Sequence, residues 1–320
     1  MKEIRKDTMT GDIAIYSTTR NNRPHDKVKI NVAFEATEED YVENCPFCRG
    51  NESWCGIPKG EIIKNGKWVA RSVGNKFPIV DMTTKDIFGQ HEVLIETHRH
   101  NGSFYNMSDE ELYDFFSLLV SRYKELKSID GIKYVNIFKN SQKNSGASLL
   151  HPHTQIISFN IIPPEVQKEL DIAEDYYAKN KESLYDNIVN EELEYENRVV
   201  FDGKYFIVFV PYATRYSGEI RIVQKDKTNF DELSGVYIDE LSFIIGNLFG
   251  KWGEYQGEIP FNMIIHTCPV GEKYRDIYRT HFHIIPRIYN FGGFELSSNI
   301  FVCSSDPDEL AKELRFNFKK

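Results

Sequence analysis

Apolar and polar positions along this chain repeat with two different periods. Runs rich in β-branched and aromatic residues, DIAIYS (12–17), WVARSV (68–73), HEVLIET (91–97), YVNIFKN (134–140) and TQIISFN (154–160), are bounded by polar or Gly/Pro punctuation and predict strands. SDEELYDFFSLLVSRYKELKS (108–128) has the longer period instead. Ser108 with Glu111 fits a capping box, and Leu112, Phe115, Leu119, Tyr123 and Leu126 recur at helical spacing. Further helices are expected in EVQKELDIAEDYYAKN after Pro164, in LSGVYIDELSFIIGNLFGKW (233–252) and in DPDELAKELRF (306–316).

These elements repeat. HEVLIET starts at 91 and YVNIFKN at 134; GEIRIVQ starts at 218 and FNMIIHT at 261, so both intervals are 43 residues and both contain a helix. Each second strand leads through a loop into a His-x-His strand, HPHTQII at 151 and HFHIIPR at 281. Ahead of each unit stands another β run, WVARSVGNKFPIV or YFIVFVPYATRYS. The pattern predicts a duplicated α+β module. One half is expected over 1–180 and the other over 200–320, with the polar, acidic stretch KESLYDNIVNEELEYENR as linker and both halves in one compact unit.

Composition narrows the function classes. Of 320 residues, 41% are hydrophobic and 27% charged, as in a globular protein, and the 22 Phe and 18 Tyr suit a strand-rich interior. A net charge of −9 argues against general affinity for nucleic acid or anionic membranes, while leaving room for a local phosphate pocket. The N-terminal MKEIRKDTMTGDIAIYS has no apolar leader-like stretch, and no apolar run reaches the roughly 18 residues of a membrane span. A cytoplasmic protein is expected. Five cysteines then read as thiols or metal ligands rather than a disulfide framework.

The chemistry gathers in a few clusters. CPFC (45–48) is a Cys-x-x-Cys knuckle, able to aim two thiolates at one tetrahedral metal. It is followed by GNESWCG rather than a helix, which disfavours a thioredoxin-like redox pair. Two more ligands are needed; a histidine at the end of HEVLIETHRH (His98 or His100) and one from HPH are the candidates, with Cys55 spare. His151, His153 and Gln155 alternate along an apolar strand and so share one face. Three polar groups aimed into one interior are costly unless paired or functional. A neutral imidazole is a good nucleophile near pH 7, and its phosphoramidate is labile enough to pass the group on. Gln155, Ser148, the NSGAS loop and Asn140 could hold phosphate oxygens. In the second half, His266, His281 and His283 could surround another metal, with Glu169 as the fourth ligand. Arg20 and Arg23 in TTRNNRP could clamp an anion.

Together these residues resemble the galactose-1-phosphate uridylyltransferase family of the histidine-triad superfamily. The resemblance runs in order through IRKDTMTGDIAIYSTTRNNRP, CPFCRGNE, RSVGNKFPIV, HEVLIETHRH, FKNSQKNSGASLLHPHTQI, VPYATRYSGEIRIVQK, FNMIIHTCP, HFHIIPR and GGFE. It implies two histidine-triad-like modules forming a mainly antiparallel sheet flanked by helices. It implies zinc on Cys45, Cys48, His100 and His151, and a second metal, iron or zinc, on Glu169, His266, His281 and His283. His153 would be the nucleophile that takes a nucleoside monophosphate, UMP in the family's usual reaction, from a nucleotide sugar and passes it to a hexose 1-phosphate. Gln155 would stabilise that intermediate and Ser148 touch a phosphate. Arg20 and Arg23 would bind substrate, Asn75 and Asn140 would contact the nucleotide, and Glu295 would fall near the hexose hydroxyls. A homodimer with active sites at the subunit interface is implied as well. The chain departs from the family pattern at Leu149-Leu150, at Cys268 and after GGFE, around the expected sugar site. Relatives with the same histidine act as phosphorylases, so a phosphorylase or hydrolase, and a non-catalytic nucleotide-binding relative, are the alternatives.

Overall fold

The computed structural model describes residues 2–17 and 38–318. The first half supplies β1 (Lys2–Lys6), β2 (Ile13–Ser17), β3 (Pro58–Lys64), β4 (Lys67–Gly74), β5 (His91–Ile95), α1 (Asp109–Lys127), β6 (Tyr134–Ser141), β7 (His153–Phe159) and α2 (Pro164–Asn180). Next come α3 (Leu184–Tyr195), β8 (Val199–Asp202), β9 (Phe206–Phe209), β10 (Ile220–Gln224), α4 (Gly235–Gln256), β11 (Phe261–His266) and β12 (His281–Pro286). The chain closes with α5 (Gly293–Ser298), β13 (Ile300–Cys303) and α6 (Pro307–Leu314).

The fold is α+β, and its main body is a ten-stranded sheet in the order β3-β4-β5-β7-β6-β11-β12-β10-β9-β8. All its pairings are antiparallel. Read inward from either edge, the halves give the same pattern, 3-4-5-7-6 and 8-9-10-12-11. A pseudo-twofold therefore passes between β6 and β11, where Asn140 faces Asn262. A small second sheet, β1-β2-β13, joins the two ends of the described chain.

One face of the large sheet is closed by α1 and α4, the equivalent helices of the two halves. The predicted capping box forms at the start of α1: the Glu111 N–H donates to the Ser108 hydroxyl, and the Ser108 N–H to the Glu111 carboxylate. Leu112, Phe115, Leu119, Tyr123 and Leu126 of α1 pack with Leu241, Ile245, Leu248 and Phe249 of α4. From the sheet come Leu94, Ile137, Ile156, Ile265, Phe282 and Ile284. The remaining side chains of those strands point to the opposite face, covered in the second half by α2 and α3 through Val166, Leu170, Tyr185 and Ile188.

Some expectations needed correction. The polar stretch at 180–200 is not an irregular linker but contains α3. Its buried Leu184, Tyr185, Ile188 and Val189 keep helical spacing, diluted in the sequence by acidic neighbours on the outer face. Strands β1, β3, β8 and β13 and helix α5 were not anticipated either, and the strand expected over 91–97 ends at Ile95. Among the described residues, no helix is long and apolar enough to cross a membrane.

Phe249 is fully buried, with the rings of Phe104, Tyr105, Trp252 and Phe261 within 5.6 Å of its own, centroid to centroid. Phe249→Ala is expected to cost about 3–5 kcal/mol in chemical denaturation. A loss below about 1 kcal/mol would show that α4 is not part of the cooperative core.

Candidate active site and metal centres

β7 lies between β5 and β6 in the sheet, and its period of two sorts the catalytic motif onto two faces. Thr154 and Ile156 face α1, while His153 and Gln155 face the opposite side, where they line a cleft. Behind His153 the Thr154 hydroxyl donates to Glu96 (2.7 Å), which also accepts from the Lys139 ammonium at 2.8 and 2.9 Å. Both charges are almost fully buried, so removing one partner would strand the other. The trio ties β6, β7 and the end of β5 together one residue from the nucleophile candidate.

His153 is set up for nucleophilic attack by its own backbone. Its Nδ1 lies 2.9 Å from the carbonyl oxygen of His151, an acceptor only, so Nδ1 carries the hydrogen. Burial lowers its pKa below the usual histidine value, which keeps the ring neutral. The lone pair is then on Nε2. His153 lines an open cleft of about 500 Å³ together with Ser148, Gln155 and Asn75. Phe47 packs against the imidazole at 5.4 Å between centroids, and Trp54 and Phe77, 50% and 81% exposed, form an aromatic rim.

Two residues earlier, His151 points into a different cluster. Its Nε2–H donates to the Thr97 carbonyl (2.9 Å), leaving Nδ1 as a lone pair 3.7 Å from Cys45 Sγ and 3.6 Å from Cys48 Sγ. His100 Nδ1 stands 3.4 Å from Cys48 Sγ. The ligand atoms of Cys45, Cys48, His100 and His151 all lie within 4.8 Å of one another. Ligands around a tetrahedral zinc with two sulfur and two nitrogen donors are separated by roughly 3.3–3.8 Å, so the spacing fits such an ion. Burial pushes the His151 imidazole down to about 3 and the Cys45 thiol, with Cys48 beside it, up to about 11. A neutral imidazole suits metal binding, and a cation would draw off the thiol proton. His98 and Cys55 fall outside this cluster; Cys55 instead donates to the Pro46 carbonyl at the cleft wall.

The second cluster, Glu169, His266, His281 and His283, gathers in the other half, where His281 opens its strand as His153 does in the first. His281 donates through Nδ1 to the Arg279 carbonyl (2.9 Å) and His283 through Nδ1 to Glu219 (2.6 Å). The Nε2 atoms of both are buried without a hydrogen-bond partner. The His281 Nε2 does lie 3.4 Å from the Glu169 carboxylate, and two imidazole lone pairs beside that buried carboxylate fit a divalent metal. Glu169 is further held by the Tyr278 hydroxyl at 2.6 Å and lies 3.0 Å from His266 Nδ1. Burial would raise its carboxyl, but His266 and His281 outweigh that and hold it well below the usual range.

Residues 28–162 match the N-terminal domain of a domain of unknown function, DUF4931. An ADP-glucose phosphorylase of Arabidopsis thaliana is 26% identical across 98% of this chain and 92% of its own length. A galactose-1-phosphate uridylyltransferase of Thermotoga maritima is 25% identical across 98% of each chain. The crystal structure of an Arabidopsis ADP-glucose phosphorylase with bound ADP-glucose superposes with a TM-score of 0.85 at 25% identity, over 98% of this chain and 99% of that one. Over nearly its whole length, then, the chain is similar to a galactose-1-phosphate uridylyltransferase and to an ADP-glucose phosphorylase.

The fold brings together some of the residues singled out in the sequence and separates others. His153, Gln155, Ser148 and Asn75 share the cleft. Asn140 faces a neighbouring hollow lined also by Lys139 and His151, and its carbonyl accepts from Asn262 Nδ2 at 2.7 Å. Asn262 also donates to the Ser145 carbonyl and accepts from Arg287, so the second half steadies the loop before the catalytic strand. Glu295 caps α5 at the Gly292 N–H and lines a separate cleft with Arg215 and Tyr216. Arg20 and Arg23 lie outside the described residues. Sequence reasoning missed His91, Asn262, Glu96 with Lys139, and the Trp54–Phe77 rim. Of these, only His91 carried a signal, as a polar residue opening a strand whose far end leads to a candidate metal ligand.

Metal analysis tests both clusters. The purified protein is expected to carry two equivalents, and Cys45→Ser to lose one, with a fall in melting temperature of about 5 °C or more. Unchanged metal content and melting would overturn the first assignment.

Proposed function

We propose that this protein is a nucleotidyltransferase acting through a nucleotidyl intermediate on His153. The observation that carries the proposal is the fixed tautomer of His153, with Nδ1–H on the His151 carbonyl and Nε2 free in a cleft lined by Ser148 and Gln155. Nε2 attacks the α-phosphorus of a nucleotide sugar; the N–P bond forms as the bond from that phosphorus to the bridging oxygen breaks, and hexose 1-phosphate leaves. A phosphate oxygen of an acceptor then attacks the same phosphorus, the N–P bond breaks and neutral His153 is restored. Gln155 and Ser148 supply donors to the phosphate oxygens as charge moves onto them. The exposed faces of Trp54 and Phe77 suit a stacked base.

The acceptor in the leading reading is a hexose 1-phosphate, with UMP as the group moved. A second acceptor, inorganic phosphate, is favoured by the full-length match to an ADP-glucose phosphorylase and would release a nucleoside diphosphate. Zinc is the metal proposed for the cluster of two cysteines and two histidines, where it would pin the residue from which β7 departs. Iron or zinc is proposed for the cluster of Glu169 with three histidines. Asn140, Glu295, Arg20 and Arg23 are proposed as further substrate contacts. A cytoplasmic homodimer completes the reading.

Incubation with α-labelled UDP-glucose and, separately, ADP-glucose is expected to leave acid-labile label on the chain, absent in His153→Asn. No label from either sugar nucleotide would sink the proposal. Chasing the labelled protein with galactose 1-phosphate, glucose 1-phosphate, phosphate or buffer alone identifies the acceptor.

A further inference from the structure

We infer that His91 is a positioning residue for the nucleotidyl step, holding the Gln155 side chain so that its NH2 group rather than its carbonyl is turned to the cleft. The inference rests on the role proposed for His153. His91 opens β5, and in the β5–β7 register it faces Ile157 while Val93 faces Gln155, so His91 and Gln155 are diagonal neighbours on one face. The imidazole is buried, and its polar neighbours are the Ile79 backbone and the side chains of Asn75 and Gln155.

The backbone N–H of Ile79 donates to His91 Nδ1 at 3.3 Å. A backbone amide can only donate, so Nδ1 carries no hydrogen and the hydrogen of the neutral ring is on Nε2. Burial, which lowers the pKa of this ring below the usual value, favours that neutral form. Two amide groups stand near Nε2: Asn75 Nδ2 at 3.0 Å and Gln155 Oε1 at 2.8 Å. The carbonyl of Asn75 is committed to the Phe77 N–H (2.8 Å), so Asn75 turns its NH2 toward the ring and cannot accept. The acceptor for the His91 N–H is therefore the Gln155 carbonyl. With its oxygen committed to His91, the end of the Gln155 amide left for the cleft is the NH2 group. The Asn75 NH2 already meets this N–H as a second donor; were the Gln155 amide reversed, a third would face it with no acceptor left, and a carbonyl lone pair would face phosphate oxygens. Orientation of a side-chain amide is thus decided by a residue that itself lines neither the cleft nor a metal cluster.

The test is the single-turnover rate of label transfer to His153 in the wild type, His91→Phe, His91→Gln, Gln155→Ala and the double variant His91→Phe/Gln155→Ala. His91→Phe is expected to slow labelling about tenfold or more. His91→Gln, whose amide nitrogen can stand where Nε2 does, is expected to recover most of that rate. In the Gln155→Ala background, His91→Phe should add little, since there is no amide left to orient. An equal penalty from His91→Phe with and without Gln155, or no recovery in a normally melting His91→Gln protein, would overturn the inference while leaving the His153 intermediate standing. A wild-type chain that takes no label at all would overturn both.

Discussion

Much of this molecule depends on the hydrogen bond from His153 Nδ1 to the carbonyl of His151. It is short-range, made within the tripeptide His-Pro-His, and it leaves a single imidazole nitrogen to act in the cleft. It holds only while the His151 carbonyl stays in place. His151 is in turn fixed at both ring nitrogens, Nε2 by the Thr97 carbonyl and Nδ1 by its place beside Cys45, Cys48 and His100. A metal in that cluster would have a purpose without touching substrate: it would fix the backbone that sets the tautomer of His153. On the far side of the strand, the buried Lys139–Glu96–Thr154 trio prevents the same segment from sliding toward α1.

The two halves show how one supersecondary unit can be divided between chemistry and architecture. His153 and His281 occupy equivalent positions: each opens its strand and donates from Nδ1 to the carbonyl two residues before it. Gln155 and His283 correspond too, as do the side chains they meet on the neighbouring strand segment, His91 and Glu219, yet the surroundings differ. Over the first half, no α-helix among the described residues lies above the His-x-His face, and His153 meets an open cleft. Over the second, α2 carries Glu169 down onto the face, and His283 is drawn into the cluster with Glu219 on its Nδ1. The halves remain coupled across the pseudo-twofold, where Asn262 holds both Asn140 and the Ser145 carbonyl.

Gln155 illustrates why a polar residue on a catalytic face needs support. A glutamine amide has a donor end and an acceptor end of nearly the same shape, so electrostatics alone must choose between them. Here the choice passes from the Ile79 N–H through His91 to Gln155, a relay that begins on a backbone group incapable of reversing. Burial keeps the middle member neutral, as the relay requires.

By itself the sequence determined what depends on local period and composition. The strands around HPHTQII and HFHIIPR, the common face of His151, His153 and Gln155, the cap of α1, the knuckle and the duplication are all legible there, because a strand or helix dictates where the next few side chains point. Resemblance to a known family supplied the grouping of distant ligands, but spacing alone left His98, His100 and Cys55 in competition. Only the tertiary structure chose His100, set His91 beside Gln155 and put Asn140 and Glu295 in hollows of their own. It also turned an apparent linker into α3, whose apolar face acquires meaning only against the sheet. The physical reason lies in strand order: β5 pairs with β7 rather than with β6, and β6 with β11, so the neighbours of a catalytic side chain come from segments that no local period relates.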